Sequence, residues 1–116
     1  MPFKRGTVVL VLFPDSNLRT AKRRPALVVQ ADSLGTSLPQ VIVAMITSNM
    51  ARANHSSRVT LLQATAHGRQ AGVLMDSVIM TDNLATVREV EIDRAIGQLL
   101  DMTEVDQALK HTLKLS

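Results

Sequence analysis

The sequence predicts a mostly β, α+β domain, a body of strands closed by one terminal helix. Three observations carry that expectation. Apolar, β-branched runs recur at residues 8–12, 26–29 and 41–46. Clusters of Gly, Pro, Asn and Ser separate them as turns do. The last stretch, from Asp101, carries apolar residues at helical spacing. With 116 residues the chain suits a single domain, 1–116.

Gly6 opens a first strand over 7–13 that is apolar on both faces, as in a strand packed on each side. Pro14-Asp15-Ser16-Asn17 is turn chemistry, and the polar stretch through Lys22 is a loop long enough to swing over a cleft. Lys22-Arg23-Arg24 then runs into Pro25 and a second strand, 25–30. Proline has no N–H, suits the first residue of a strand and pushes the residue before it into an extended conformation. Arg24 is therefore held extended at a strand mouth, where a guanidinium suits a planar anion such as phosphate. A solvated basic loop is the alternative reading.

Residues 31–39 read as a connector with room for one helical turn. The third strand, 40–47, is apolar throughout and central, and it ends in Thr47-Ser48-Asn49. Alternation puts Thr47 and Ser48 on opposite sides of the sheet, so only one shares a face with a given ligand; alternatively these residues begin the next loop. A polar, basic loop over 50–57 carries Arg52 and His55, and a short fourth strand covers 58–62. His55 reads as an exposed loop histidine. Gly68 and Gly72 bracket a flexible segment, and residues 73–84 carry a strand that ends on Asp82-Asn83. Residues 87–100 fit a short helix or an edge strand, which we place at 94–99. In the terminal helix Asp101 and Glu104 make a capping-box-like start, while Met102, Val105, Leu109 and Leu113 form one apolar face directed at the core. Lys110, His111 and Lys114 suit the helix dipole.

Composition narrows the function. The absence of cysteine excludes disulfides, zinc ribbons and thiol nucleophiles. His55, His67 and His111 show no ligand spacing, so neither a metal nor another cofactor is expected. The apolar run at 8–13 is too short to cross a bilayer, and the reading is a soluble, cytoplasmic protein without membrane association. A net charge of +3 and a sequence pI near 10.0 favour a polyanionic partner. Arg19, Lys22, Arg23 and Arg24 concentrate that charge. Two phenylalanines, with no tyrosine or tryptophan, argue against a sheet that stacks bases on aromatics.

A glycine-initiated apolar strand, Arg24-Pro25-Ala26-Leu27-Val28, then Val43-Ala44-Met45-Ile46-Thr47-Ser48, and later Asp76-Ser77-Val78-Ile79 before a terminal helix form an ordered series. That series resembles the MazF/PemK toxin endoribonucleases of type II toxin–antitoxin systems, from Gly6 to about Leu113. The resemblance implies a small antiparallel, barrel-like SH3-type sheet of the CcdB/PemK/MazF kind with a C-terminal helix. It also implies a homodimer, metal-independent and sequence-selective cleavage of single-stranded RNA, and inhibition by a small antitoxin.

Metal-free RNA cleavage uses the neighbouring 2′-hydroxyl as nucleophile and leaves a 2′,3′-cyclic phosphate. The protein must then remove a proton, stabilise phosphoryl charge and help the 5′-oxygen leave. Arg24 matches the family's arginine before proline. A guanidinium stays protonated at neutral pH, which favours charge stabilisation over proton transfer. Thr47 matches the family's hydroxyl position, with Ser48 its neighbour. Asp82 matches an aspartate that PemK-type members are proposed to use as general base, a role that burial would support by raising its pKa. RNA contacts are expected from Arg19, Lys22, Arg23, Ser48, Asn49, Arg52, Arg58 and Asn83. Ala85 and Met80 stand where relatives carry arginines, which removes charge from the expected RNA groove; the basic loop at 19–23 is placed to replace it. Two competing readings are a non-enzymatic, topoisomerase-poison-type toxin of the same fold and a catalytically degenerate RNA-binding dimer.

Overall fold

β-Branched side chains fit a pleated, half-buried surface, and the three apolar runs become β1 (Thr7–Pro14), β2 (Ala21–Val28) and β3 (Gln40–Thr47). The computed structural model describes residues 3–14, 19 and 21–116; the turn expected at Asp15, Ser16 and Asn17 lies outside them. The chain continues through β4 (Arg58–Leu61), α1 (Ala66–Ala71), β5 (Ser77–Arg88), β6 (Ile92–Gln98) and α2 (Thr103–Leu113). The strands form one antiparallel sheet in the order β4-β5-β3-β2-β1-β6. No helix among the described residues is long and apolar enough to cross a membrane.

Both sheet faces are buried, which is why β1 and β3 need no polar alternation. Val8, Leu27, Ala44, Ile46 and Ile79 gather in one cluster with Ala71 of α1 and Val105 and Ala108 of α2. Val9, Val11, Ala26, Val28, Val43, Met45 and Val87 gather in the other.

Several elements depart from the sequence expectation, each because a partner elsewhere sets its extent. β2 begins at Ala21 rather than Pro25, since β1 supplies partners as far as Pro14. Pro25 lies inside the strand, opposite Leu10, and β3 pairs only with Ala26 to Val28, so the missing proline N–H breaks no ladder bond. Residues 31–39 contain no helical turn. Within the 50–57 loop, Met50–Arg52 makes a 3-10 turn capped by Asn49, whose Oδ1 accepts from the Ala51 N–H at 3.1 Å. The ambiguous 87–100 stretch resolves into the end of β5, a 3-10 turn at Glu89–Glu91, and β6, which starts two residues before the strand we placed at 94–99.

β5 does not end at Asp82-Asn83. Met80 and Leu84 face Met45 and Ala44, which are adjacent on β3, so residues 81–83 are looped out and the strand resumes to Arg88. Residues 73–76 precede β5 as a loop rather than as strand.

Gly68 and Gly72 belong to α1 rather than to a flexible segment. Thr65 caps the helix by accepting the Gly68 N–H at 3.1 Å, and Gly72 ends it in the left-handed region at φ 75°. A Cβ on Gly72 would lie 2.1 Å from the Ile96 carbonyl oxygen of β6, and one on Gly97 would lie 2.3 Å from the Ala71 carbonyl carbon. α1 is thus seated backbone to backbone on β6.

α2 starts differently from the expected capping box. Asp101 Oδ1 accepts from the Thr103 N–H at 3.0 Å, Met102 occupies the boundary position, and no side chain caps from there. The Thr103 hydroxyl and N–H hold the Asp101 carboxyl below the usual range. Met102, Val105, Ala108 and Leu109 face the core, whereas Leu113, expected in that stripe, is 50% exposed. Arg5 ties this helix to the strand ends: it donates through Nη2 to Asp106 at 2.6 Å and through Nε to the Val29 carbonyl at 2.9 Å.

Gly72→Ala is expected to lower stability by at least about 2 kcal/mol, because it adds left-handed strain to a direct clash. Urea denaturation, read as a lower midpoint with unchanged slope, checks this.

Candidate active site

β2–β3 pairing stops at Ala26 opposite Met45. The same register carried two residues outward sets Arg24 opposite Thr47 on one face, past the last ladder pair. A cleft of about 660 Å³ opens there. Arg23, Arg24 and Pro25 of β2 form one wall, residues 45–48 the back, Met80, Asn83 and Ala85 of β5 another wall, and Leu74 and Met75 of the loop before β5 a rim. Both Thr47 and Ser48 line it. The expectation that only one could share a site holds inside a sheet, but past Met45 the edge of β3 towards β2 is unpaired while β5 still holds it as far as Thr47, and both side chains line the opening.

The cleft therefore brings together Arg24, Thr47, Ser48, Arg23 and Asn83. Arg23 is already engaged, with its Nε 3.0 Å from Asp93 Oδ2 on β6. Arg19 and Lys22 are exposed and, like Asn49, Arg52, Arg58 and Asp82, are not on the cleft wall. No Asp, Glu or His is among the described lining residues.

Asp82 sits on the looped-out segment, clasped by Arg58 of β4: Nε to Oδ1 at 3.3 Å and Nη2 to Oδ2 at 2.7 Å. Arg58 also donates Nη1 to the Arg52 carbonyl at 3.2 Å. This hydrogen-bonded guanidinium holds the Asp82 carboxyl below the usual carboxylate range. Partial burial pushes the carboxyl the other way, but less than Arg58 pulls it down, so Asp82 is not raised as a general base would need. His55 is exposed, its Nδ1 accepts from the Ser57 N–H at 3.0 Å, and its ring lies edge-on to His111 at 6.1 Å.

A family model described as PemK-like, MazF-like toxin of type II toxin–antitoxin system matches residues 4–113. This chain belongs to that toxin family. Endoribonuclease MazF6 of Mycobacterium tuberculosis (strain ATCC 25618 / H37Rv) is 36% identical over 107 residues, covering 90% of each protein. Endoribonuclease EndoA of Bacillus subtilis (strain 168) is 31% identical, covering 99% of this chain and 97% of the relative. In structure, the fold resembles Mycobacterium tuberculosis toxin MazF-mt6 with a TM-score of 0.73 at 21% identity, over 95% of this chain and 98% of that one. It also resembles an endoribonuclease in complex with its cognate antitoxin from Mycobacterial species, with a TM-score of 0.74 at 18% identity, over 98% and 97% of the two chains.

Within this PemK/MazF-type cleft, sequence reasoning did not anticipate the apolar lining from Met45, Leu74 and Met75. Leu74 and Met75 are 85% and 55% exposed, yet they follow Gly72 in a run that reads as strand. The signal that separates them is Asp76, which accepts the Gln63 N–H at 2.9 Å and so marks a loop end.

Arg58 lowers the pKa of Asp82 in the folded chain, so the pair's stabilisation is present at neutral pH and is lost as pH falls below about 4, through the folded-state value. Urea midpoints of wild type and Asp82→Asn are expected to differ at neutral pH and to converge as the pH is taken down through the folded-state value of Asp82.

Proposed function

We propose that this PemK/MazF-family chain is a sequence-selective, metal-independent endoribonuclease that acts on single-stranded RNA, including mRNA, in the cytoplasm. The supporting observation is that Arg24 and Thr47, both beyond the last β2–β3 pair, line one cleft. The curated relatives carry the name endoribonuclease, which agrees with that reading.

In the proposed reaction the 2′-hydroxyl loses its proton to solvent water as its oxygen attacks the adjacent phosphorus, the P–O5′ bond breaks and the departing 5′-oxygen takes a proton from solvent, and the products are a 2′,3′-cyclic phosphate and a 5′-hydroxyl. Negative charge builds on the non-bridging oxygens as the phosphorus becomes five-coordinate. Arg24 supplies fixed, forked N–H donors to those oxygens, and the Thr47 hydroxyl donates beside it. Their worth lies in being held in place before the charge develops: Arg24 is extended by Pro25 and paired through β1, so little reorganisation is needed. Ser48 reaches the same space from the other side of β3. Arg19, Lys22 and Arg23 add long-range attraction for the backbone.

Asp82, the carboxylate expected as base, is committed to Arg58 and has a depressed pKa, so it is a poor acceptor for the 2′ proton. We therefore assign the protein's main contribution to charge stabilisation and orientation. The protein is further proposed to be a homodimer neutralised by a small antitoxin, in keeping with a structural neighbour solved with its cognate antitoxin.

Purified protein in EDTA is expected to cut single-stranded RNA. Arg24→Ala should reduce kcat/KM by about 10²- to 10³-fold, the range seen when one preorganised donor to a developing oxyanion is removed. Absence of cleavage on any RNA, or undiminished cleavage by Arg24→Ala, would overturn the assignment. Binding of the Arg24→Ala protein should weaken steeply as salt rises, because phosphate contacts release counterions.

A further inference from the structure

The cleft has two chemically distinct ends. Arg23, Arg24 and Thr47 supply charge and hydroxyl donors on the β2 side, whereas Met45, Met80 and Ala85 make the β5 side apolar, with one polar side chain among them, Asn83. A phosphate gains nothing from such a surface. An unstacked base does, since methionine is polarisable, adapts to a flat ring and needs no aromatic platform. The Asn83 carboxamide is bonded to no other group among the described residues. It offers a donor and an acceptor side by side, the pattern that matches the N6/N7 edge of adenine.

Asn83 reaches the cleft because β5 is looped out at residues 81–83, and five hydrogen bonds hold that loop. Thr81 is fully buried, and both its N–H and its hydroxyl donate to the Ser57 carbonyl, at 3.0 and 2.7 Å. With that hydroxyl proton committed, Thr112 of α2 is the donor to Thr81 Oγ1 at 2.7 Å. Asp82 is clasped by two Arg58 nitrogens. The residues immediately before Asn83 are thus fixed, one to the loop before β4 and to α2, the other to β4.

We propose that Asn83 is the specificity-determining residue of this cleft, reading the edge of one base that rests on Met45 and Met80, and that the Arg58–Asp82 ion pair is a positioning brace for it. The inference rests on the endoribonuclease reading and adds a subsite to it. Phosphate is held at the Arg24 and Thr47 end, and the neighbouring base is read at the Asn83 end. Asp82 is thereby a positioning residue and not the general base.

Two measurements separate this inference from the parent reading. In the first, RNA 5′ ends are mapped after cleavage by wild type, Asn83→Ala, Asp82→Asn and Arg58→Met. Asn83→Ala should lose about tenfold preference at one position of the cut site, with the preferences at the other positions retained. Asp82→Asn and Arg58→Met should blur the same position, and the double variant should be no worse than either single one, as expected of two halves of one contact. An unchanged cut-site profile in Asn83→Ala overturns the inference. So does loss of turnover on every sequence in Asp82→Asn with selectivity intact, which would mark Asp82 as the base. The second measurement needs no cleavage. Fluorescence anisotropy follows the Arg24→Ala protein binding hexauridine in which one central position is varied among the four bases. A preference for adenine that disappears when Asn83→Ala is added supports the subsite. No base preference, or one that survives Asn83→Ala, overturns it, whether or not the wild type cuts RNA.

Discussion

The β2–β3 ladder opens at Pro25, the one residue of β2 with no N–H to give. Pairing stops at Ala26, while β1 keeps holding residues 21–25 extended from the other side. One edge of β2 is thus rigid and the other unpaired. The cleft is the direct outcome of that asymmetry, and Arg24 stands at the point where it begins.

Charge is distributed to the same effect. Arg23 is matched by Asp93 and Arg58 by Asp82, both within hydrogen-bond distance. Arg24 has no acidic partner among the described residues. Two of the basic side chains near the sheet opening are thus committed to structural ion pairs, and Arg24 on the cleft wall is left to meet an anionic ligand.

Much of this architecture was legible in the amino-acid order. β1, β3 and α2 declare themselves because burial on two faces, or on one helical stripe, writes a pattern into the residues themselves. Arg24 could be set at the sheet opening because the effect of Pro25 is local, whereas alternation did not tell Thr47 from Ser48, and Thr47 was singled out by its place in the family motif. The parts that stayed hidden depend on partners distant in sequence. β2 extends to Ala21 because β1 is long, not because Ala21-Lys22-Arg23 favours a strand. α1 is only six residues long, carries a glycine in its interior, and is stable through its close seat on Gly97. The partner of Asp82 stayed hidden because Arg58 lies twenty-four positions away. Its protonation behaviour belongs to that pair and not to its neighbours in the chain. The looped-out turn in β5 was equally invisible, since its cause is a carbonyl at Ser57 and a hydroxyl at Thr112.

The rim at Leu74 and Met75 sits between two rigid anchors, the Gly72 cap locked against β6 and the start of β5 at Ser77. Neither side chain belongs to the buried core. Substitution there changes what the cleft presents to a ligand while leaving the load of folding on other residues. Such a layout separates two histories that are often entangled. The scaffold can stay constant under its packing constraints while the rim drifts, so closely similar backbones can come to prefer different sequences with little loss of stability on the way.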